Sequence, residues 1–198
     1  MTNLTHPNFT SGDDLWVFAY GSLMWNPGFE HLEVVPGEVE GYHRSLCVLS
    51  TIYRGTPGNP GLVLGLDEGG SCCGLTFRVH ADLIPETVKY LDEREKVTRV
   101  YTSEFVNVTL KDGREVEAYT FVVIRDHEQF AGELSYDQQA CLVARGIGKN
   151  GTALEYLTNT IEHINELGLH DPDLHEVLNL ARRNAISYGE KGATGCLD

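Results

Sequence analysis

Positive charge is scarce in this sequence, which has 15 Lys and Arg against 29 Asp and Glu and a formal net charge of −14. Nucleic acids and anionic membrane surfaces are bound through clustered Lys and Arg. The composition therefore argues against both, and we expect no nucleic-acid and no membrane partner. It does not exclude an anionic small molecule, which needs only a local electropositive pocket.

Long apolar runs are also missing, and none approaches the roughly 18–20 residues of a transmembrane helix. Residues 1–14 are polar and acidic and lack the basic and apolar regions of a signal peptide. We therefore expect a cytoplasmic protein. The length predicts a single domain over residues 1–198, with flexible ends at 1–13 and 189–198. The sequence does not define the oligomeric state, and a monomer is favoured.

Cysteine pairs of the C-x-x-C type are absent, and the five cysteines are an odd number. Both features argue against a disulfide scaffold and a structural zinc site and favour separate thiols. Cys47 follows His43 by four residues, which fits a nucleophile pair, although a core cysteine near a hydrogen-bonded histidine is favoured. Neither His127-Glu128 nor His175-Glu176 is completed to H-E-x-x-H, so we expect no metal.

A dinucleotide fingerprint is present only in outline, because Gly146–Gly151 matches G-x-G-x-x-G. The fingerprint requires a strand before it, and here a helix is predicted instead. Lys149 is not followed by Ser or Thr, so the P-loop signature also fails. We predict a helix end followed by a new helix start, where Thr152 and Glu155 have the spacing of a capping box. No cofactor is expected.

Strands precede helices along the chain. The predicted strands are Trp16–Tyr20, Val34–Val39, Tyr42–Ser50, Leu62–Leu66, Cys73–Val79, Tyr101–Leu110 and Glu115–Ile124. The predicted helices are Pro85–Lys96, Asp137–Arg145, Ala153–Leu167 and Leu174–Ser187. Such segregation predicts an α+β fold. Short antiparallel strands, joined by turns such as Asp112-Gly113, can close into a small barrel.

The apolar run Trp16–Tyr20 ends abruptly at Gly21-Ser22. A strand that ends on small residues can expose its backbone N–H groups to a carboxylate or carbonyl oxygen of a ligand. Many strands end in this way and bind nothing, so the pattern alone favours a simple turn.

A carboxylate continues the apolar face of the predicted helix Pro85–Lys96. Val88 and Leu91 lie on one helical stripe with Ile84, and Glu95 follows Leu91 by four residues. A carboxylate on a buried face has a raised pKa, which suits a general base. Alternatively the helix ends before Glu95 and the side chain is solvated; the pattern leaves both interpretations open.

Several segments together resemble the ChaC-like γ-glutamylcyclotransferases. They are Val17–Trp25, Gly41–Arg44, Arg54–Pro57, Pro60–Leu66, Gly69–Cys72, Phe77–Val79, Tyr90–Glu95 and Gly148–Leu157. The resemblance extends from about Trp16 to Leu157, with the segments in the family's order. It implies a small mixed or antiparallel β-barrel with flanking helices, the γ-glutamylcyclotransferase-like fold.

The resemblance also implies the activity, cleavage of glutathione to 5-oxoproline and cysteinylglycine. The family's general acid/base maps onto Glu95. Its substrate-binding turn maps onto Val17, Phe18, Ala19, Tyr20, Gly21, Ser22 and Leu23. Arg54 is a candidate for the carboxylate of the cysteinylglycine half. The expected partner is therefore a small molecule, glutathione, with no cofactor and no metal.

Two alternatives remain at the level of the sequence. The enzyme could act on other γ-glutamyl peptides or amines, or the chain could be a non-catalytic module that binds γ-glutamyl groups. Glu95 argues against the second alternative, because a binding module has no need of an acid/base at that position.

Overall fold

The computed structural model describes residues 13–132 and 134–191. The strands are β1 (Leu15–Ala19), β2 (Glu33–Ser50), β3 (Gly61–Val79), β4 (Tyr101–Leu110), β5 (Glu115–Val123), β6 (Ile147–Gly148) and β7 (Gly151–Thr152). The α-helices are α1 (Ile84–Glu95), α2 (Tyr136–Arg145), α3 (Ala153–Glu166) and α4 (Pro172–Lys191). Two 3-10 helices cover Ser22–Met24 and Ala81–Leu83. In these ranges, no helix is long and apolar enough to cross a membrane.

Five strands close a barrel in the order β1-β3-β2-β4-β5. Strand β1 is antiparallel to β3, with Ala19 opposite Leu75, and parallel to β5, with Val17 opposite Tyr119. The barrel is therefore mixed, and together with the α-helices of the described residues it confirms the predicted fold class.

The chain divides into two compact units. Among the described residues, the first unit runs up to His43 and from Leu66 to Val122, and the second comprises Arg44–Gly65 and the residues from Val123 onward. The expectation of a single domain stays a prediction. The segments expected to be flexible, 1–13 and 189–198, lie mostly outside the described residues, although α4 runs to Lys191.

The core of the first unit follows the period-two pattern of its strands. In β4, the alternate residues Val106, Val108 and Leu110 are buried, because successive side chains of a strand point to opposite faces. The buried cluster consists of Phe18, Val39, Leu66, Cys72, Val106, Val108, Leu110, Ala118 and Val122.

Two strands are longer than predicted. The sequence predicted that strands end between residues 39 and 42 and between 66 and 73. Instead, β2 continues through the first of these positions and β3 through the second. Gly41, Gly69 and Gly70 have φ values of +85°, +100° and +67°. Glycine adopts such angles without steric cost, so a strand can bend there and continue. The predicted Asp112-Gly113 turn is present between β4 and β5, with Gly113 at φ +88°.

Three helices form the core of the second unit, where α2 packs against both α3 and α4. Helix α2 begins with a complete capping box between Ser135 and Gln138. The buried faces include Ala140, Leu142 and Val143 of α2, Leu157, Ile161 and Ile164 of α3, and Leu174, Val177, Leu178 and Ala181 of α4.

The cysteines only partly match the prediction. Cys47, Cys72 and Cys73 are thiols, as predicted. Cys141 is disulfide-bonded, so the prediction of five separate thiols is wrong for this residue. Sequence spacing could not reveal this bond, because disulfide pairing depends on which distant segments come together.

Replacing either of two buried threonines of the barrel by valine is expected to change stability, in opposite directions for the two positions. Thr76 and Thr120 are both 0% exposed. The Thr120 hydroxyl donates to the carbonyl oxygen of Phe18 at 3.0 Å, whereas among the described residues the Thr76 hydroxyl has no partner. We expect Thr76→Val to raise the free energy of unfolding by about 1 kcal/mol and Thr120→Val to lower it by about as much. Urea unfolding of both variants measures the difference. Equal losses in the two variants would contradict this assignment.

Candidate active site

The strand β1 leads directly into a tight turn. Val17, Phe18 and Ala19 are buried, and Gly21 precedes the 3-10 helix Ser22–Met24. The Met24 amide donates to the carbonyl oxygen of Gly21 at 2.9 Å, which closes the turn. The turn predicted at Gly21-Ser22 is therefore present.

Neighbouring strands fix the end of β1 from both sides. A β-carbon at Gly74 of β3 would lie 2.2 Å from the carbonyl oxygen of Ala19, so only glycine permits this close approach. On the β5 side, Thr120 holds the Phe18 carbonyl through its hydroxyl. The turn after Ala19 therefore starts from a rigid strand.

Some side chains of the turn are anchored and others are accessible. Leu23 and Met24 are only 6% and 5% exposed, whereas Tyr20 and Ser22 are partly exposed. The Ser22 hydroxyl accepts a hydrogen bond from the Arg94 guanidinium at 3.0 Å. The turn can thus offer a hydroxyl and small-residue backbone to a ligand.

Glu95 is the last residue of α1, so the helix does not end before it. Leu91, one turn earlier, is fully buried, and the Glu95 side chain is 21% exposed. Burial raises the pKa of the Glu95 carboxyl, and the charge and hydrogen bond of Arg94 partly oppose this rise. A partly buried carboxyl with a raised pKa can take up and release a proton closer to neutral pH.

Arg94 connects Glu95 with the turn. Its Nε lies 3.0 Å from Oε1 of Glu95, and its Nη2 donates to Ser22. Sequence reasoning did not single out Arg94, although a cation beside a buried carboxylate in the last turn of a helix was a visible signal. Arg94 thus brings together two of the predicted site elements, the turn and the carboxylate.

A second polar network holds the end of α1 in place. Asp92 accepts a hydrogen bond from the Tyr119 hydroxyl at 2.7 Å and pairs with Lys96 at 2.9 Å. Lys96 also donates to Ser103 of β4 at 2.9 Å. Burial and the nearby Asp92 carboxylate raise the pKa of Tyr119, which therefore stays neutral and acts as a donor. These bonds fasten the helix turn that carries Glu95 to β4 and β5.

Arg54 belongs to the second unit. Its guanidinium donates to the carbonyl oxygen of Thr152 at 3.2 Å, lies 3.6 Å from Glu155 and sits over the ring of Tyr156. Its side chain is 17% exposed. The assignment of Arg54 to substrate binding stays a prediction.

The glycines of the G-x-G-x-x-G segment have a packing role. A β-carbon at Gly148 would lie 2.5–2.6 Å from backbone atoms of Tyr53, Arg54 and Gly55. One at Gly146 would lie 2.5 Å from the carbonyl oxygen of Arg54. As predicted, a helix ends before this segment and another begins after it. Of the predicted capping box, the bond from the Glu155 amide to the Thr152 hydroxyl is present, whereas the Glu155 carboxylate lies 3.6 Å from Arg54. The glycines of this segment therefore allow its backbone to pack directly against the backbone of residues 53–55.

This packing predicts that Gly148→Ala lowers the free energy of unfolding by about 1–3 kcal/mol, because overpacked backbone must shift. The matched control is Gly58→Ala, because a β-carbon at Gly58 meets nothing within 4 Å. We expect the control to change the free energy of unfolding by less than about 0.5 kcal/mol. Urea unfolding of both variants tests the difference, and equal stabilities would refute the packing role.

Within the ranges 13–132 and 134–191, no group of three or more His, Cys, Asp or Glu side chains could hold a metal ion.

Comparison with known proteins assigns the family. Residues 15–184 match the family model described as ChaC-like protein. The chain is 34% identical over 164 residues to the glutathione-specific gamma-glutamylcyclotransferase of Escherichia coli, covering 83% of this chain and 71% of that protein. It is 31% identical over 182 residues to the Schizosaccharomyces pombe protein of the same name, covering 81% and 88% of the two chains.

Solved structures agree on the fold. A crystal structure of a yeast gamma-glutamyl cyclotransferase specific to glutathione superposes with a TM-score of 0.79 at 21% identity, covering 86% of this chain and 96% of that one. The five-stranded barrel thus has the same architecture as that protein. With the match of residues 15–184, the chain belongs to the ChaC-like family.

Proposed function

We propose that this chain cleaves glutathione to 5-oxoproline and cysteinylglycine, with Glu95 as general base and then general acid. The observation that carries the mechanism is the link from the Glu95 carboxylate through Arg94 to Ser22 of the turn. The relatives named for this activity, which match most of the chain, support the substrate.

The reaction needs no nucleophile from the protein, because the substrate carries its own. The α-amine of the γ-glutamyl group attacks its own γ-carbonyl carbon, forming a five-membered lactam, and the bond from that carbon to the cysteine nitrogen breaks. Attack within one molecule gains most of its rate from orientation. The protein must therefore hold the γ-glutamyl group folded, which we assign to the turn Val17–Leu23.

Glu95 moves the proton in this scheme. The α-ammonium of the substrate loses a proton to the Glu95 carboxylate, and the carboxyl gives that proton to the leaving nitrogen. The attacking nitrogen loses a second proton as the lactam forms, which balances the proton that converts the released amine of cysteinylglycine to an ammonium. An unperturbed glutamate, with a pKa near 4.3, is a poor base for an ammonium. Burial raises the pKa of Glu95 and so improves the match.

The test is direct. Purified protein is incubated with glutathione, and 5-oxoproline and cysteinylglycine are separated by chromatography. A parallel series of γ-glutamyl peptides and amines measures selectivity and tests the first alternative. Binding of glutathione without product would favour the non-catalytic alternative. A cytoplasmic location and a monomeric state stay predictions.

A further inference from the structure

We propose that Arg94 is a positioning residue that fixes the Glu95 carboxylate and the Ser22 hydroxyl in one geometry and makes Ser22 a hydrogen-bond donor to substrate. The inference rests on the proposed function. The supporting observation is that all three nitrogens of the Arg94 guanidinium have partners. Two of these partners, Ser22 and Glu95, are candidate functional residues.

The guanidinium is held in a fixed plane. Its Nη1 donates to the carbonyl oxygen of Asn26 at 2.6 Å and to the Tyr90 hydroxyl at 2.9 Å. The remaining donors, Nη2 and Nε, face Ser22 and Glu95 at 3.0 Å each. The rigid fork of arginine fixes the angle between its donors, which a lysine ammonium does not. The contacts to Asn26 and Tyr90 therefore fix the orientation of the guanidinium, and with it the directions in which Nη2 and Nε point toward Ser22 and Glu95.

The hydrogen bond to Ser22 determines what this hydroxyl can do. A serine hydroxyl has one proton to donate and accepts through its oxygen. Because the Ser22 oxygen accepts from Arg94, its own proton can be donated to an oxygen of the substrate. Hydrogen bonds in a chain polarise one another, so the cation strengthens this donor. The matching acceptor is a carbonyl or carboxylate oxygen of the γ-glutamyl group.

Arg94 also controls the charge of Glu95. Of the described residues, Arg94 is the charged group that acts on this carboxylate, since the adjacent Lys96 pairs with Asp92 and Ser103. Tyr90 faces the guanidinium rather than the carboxylate. The cation occupies Oε1, which leaves Oε2 for the substrate. It keeps the carboxylate ionised at a pH where burial alone would favour protonation.

The experiment compares Arg94→Gln, Arg94→Lys and the control Arg78→Gln, measuring kcat and kcat/KM for glutathione across pH. Arg78 also joins separate segments, through Asp14 at 3.0 Å and Glu33 at 2.9 Å, but contacts neither Glu95 nor Ser22. We expect Arg94→Gln to lower kcat at least about tenfold and to move the acid limb of kcat/KM to higher pH. The limb moves upward because the Glu95 carboxylate loses its cation.

The lysine variant separates charge from geometry. Arg94→Lys keeps the cation, so its acid limb should stay near that of the original protein while kcat still falls several-fold. Arg78→Gln should lose stability but keep both kcat and the acid limb. If Arg94→Gln does not fold, the kcat loss and unmoved limb of Arg94→Lys support the proposal. An original kcat in a folded Arg94→Gln or in Arg94→Lys overturns it.

A measurement without turnover separates this inference from the proposed function. The pKa of the Glu95 carboxyl is read by NMR of carbon-13-labelled glutamate, assigned by the signal lost in Glu95→Gln. A higher pKa in Arg94→Gln supports the link, and an unchanged pKa overturns it. If the original protein forms no 5-oxoproline, the proposed function fails, whereas this titration still decides whether Arg94 controls Glu95.

Discussion

Glu95→Gln is expected to lower the rate of 5-oxoproline formation at least about a hundredfold while leaving the fold intact. The amide has the shape of the carboxyl but cannot accept a proton from the substrate's ammonium. Chromatography of product formed at substrate saturation measures the loss. Near-original activity would remove Glu95 from the mechanism.

The chain offers a matched control on the same helix. Glu93 precedes Glu95 by two residues, is 70% exposed and pairs loosely with Lys89 at 3.9 Å. We expect Glu93→Gln to keep its activity, because an exposed carboxylate on another face of α1 takes no part in the site. A loss equal to that of Glu95→Gln would indicate a general effect on the helix.

Glu95→Gln should lose activity without losing thermal stability. Burial raises the folded-state pKa of Glu95 above its ordinary value, so the folded protein disfavours the ionised form. Stability from this group is therefore lost as pH rises from the unfolded pKa through the folded pKa. Glu95→Gln lacks this ionisation, so its melting temperature at neutral pH should equal or exceed that of the original protein.

Blocking the α-amine of the substrate is expected to abolish reaction altogether. In the proposed mechanism this amine is the attacking atom, so N-acetylated glutathione should yield no cysteinylglycine. Unmodified glutathione should yield 5-oxoproline and no free glutamate. Quantifying all three products by chromatography tests the route.

A hydrolase would give the opposite result. A cysteine or serine nucleophile would cut the γ-glutamyl bond of both substrates and release glutamate from unmodified glutathione. Cys47, the cysteine considered for such a role, is a thiol that is only 1% exposed. Release of glutamate, or cleavage of the acetylated substrate, would show that ring closure is the wrong mechanism.

Local patterns in the sequence predicted the elements that carry the candidate site. The spacing of Val88 and Leu91 predicted an amphipathic helix, but it left open whether Glu95 continues the buried face or is solvated. The structure decides this, because α1 runs to Glu95 and the Glu95 side chain is 21% exposed. The end of β1 at Gly21-Ser22 was equally visible. Periodicity is reliable here because it depends on residues within one or two turns or on alternate positions of a strand.

Local patterns did not predict the ends of strands that are set by pairing with distant strands. Gly41 and the Gly69-Gly70 pair looked like breaks, because glycine interrupts strands in most contexts. In the barrel, β2 and β3 instead continue through these residues, held by hydrogen-bonded neighbours. A strand's ends depend on its partners as well as on its own residues.

The sequence by itself determined the family and the barrel class, through its resemblance to known proteins, and the turn after β1. It placed Glu95 near the end of a helix, but only the structure showed that α1 reaches Glu95 and partly buries its side chain. Tertiary structure alone decided that Arg94 joins Glu95 to Ser22, which lies 72 residues earlier in the chain. It likewise decided that Asp92 meets Tyr119 and that Gly148 touches the backbone of Arg54. Contacts of this kind depend on strand register and on the packing of distant segments, and no periodicity within a single segment encodes them.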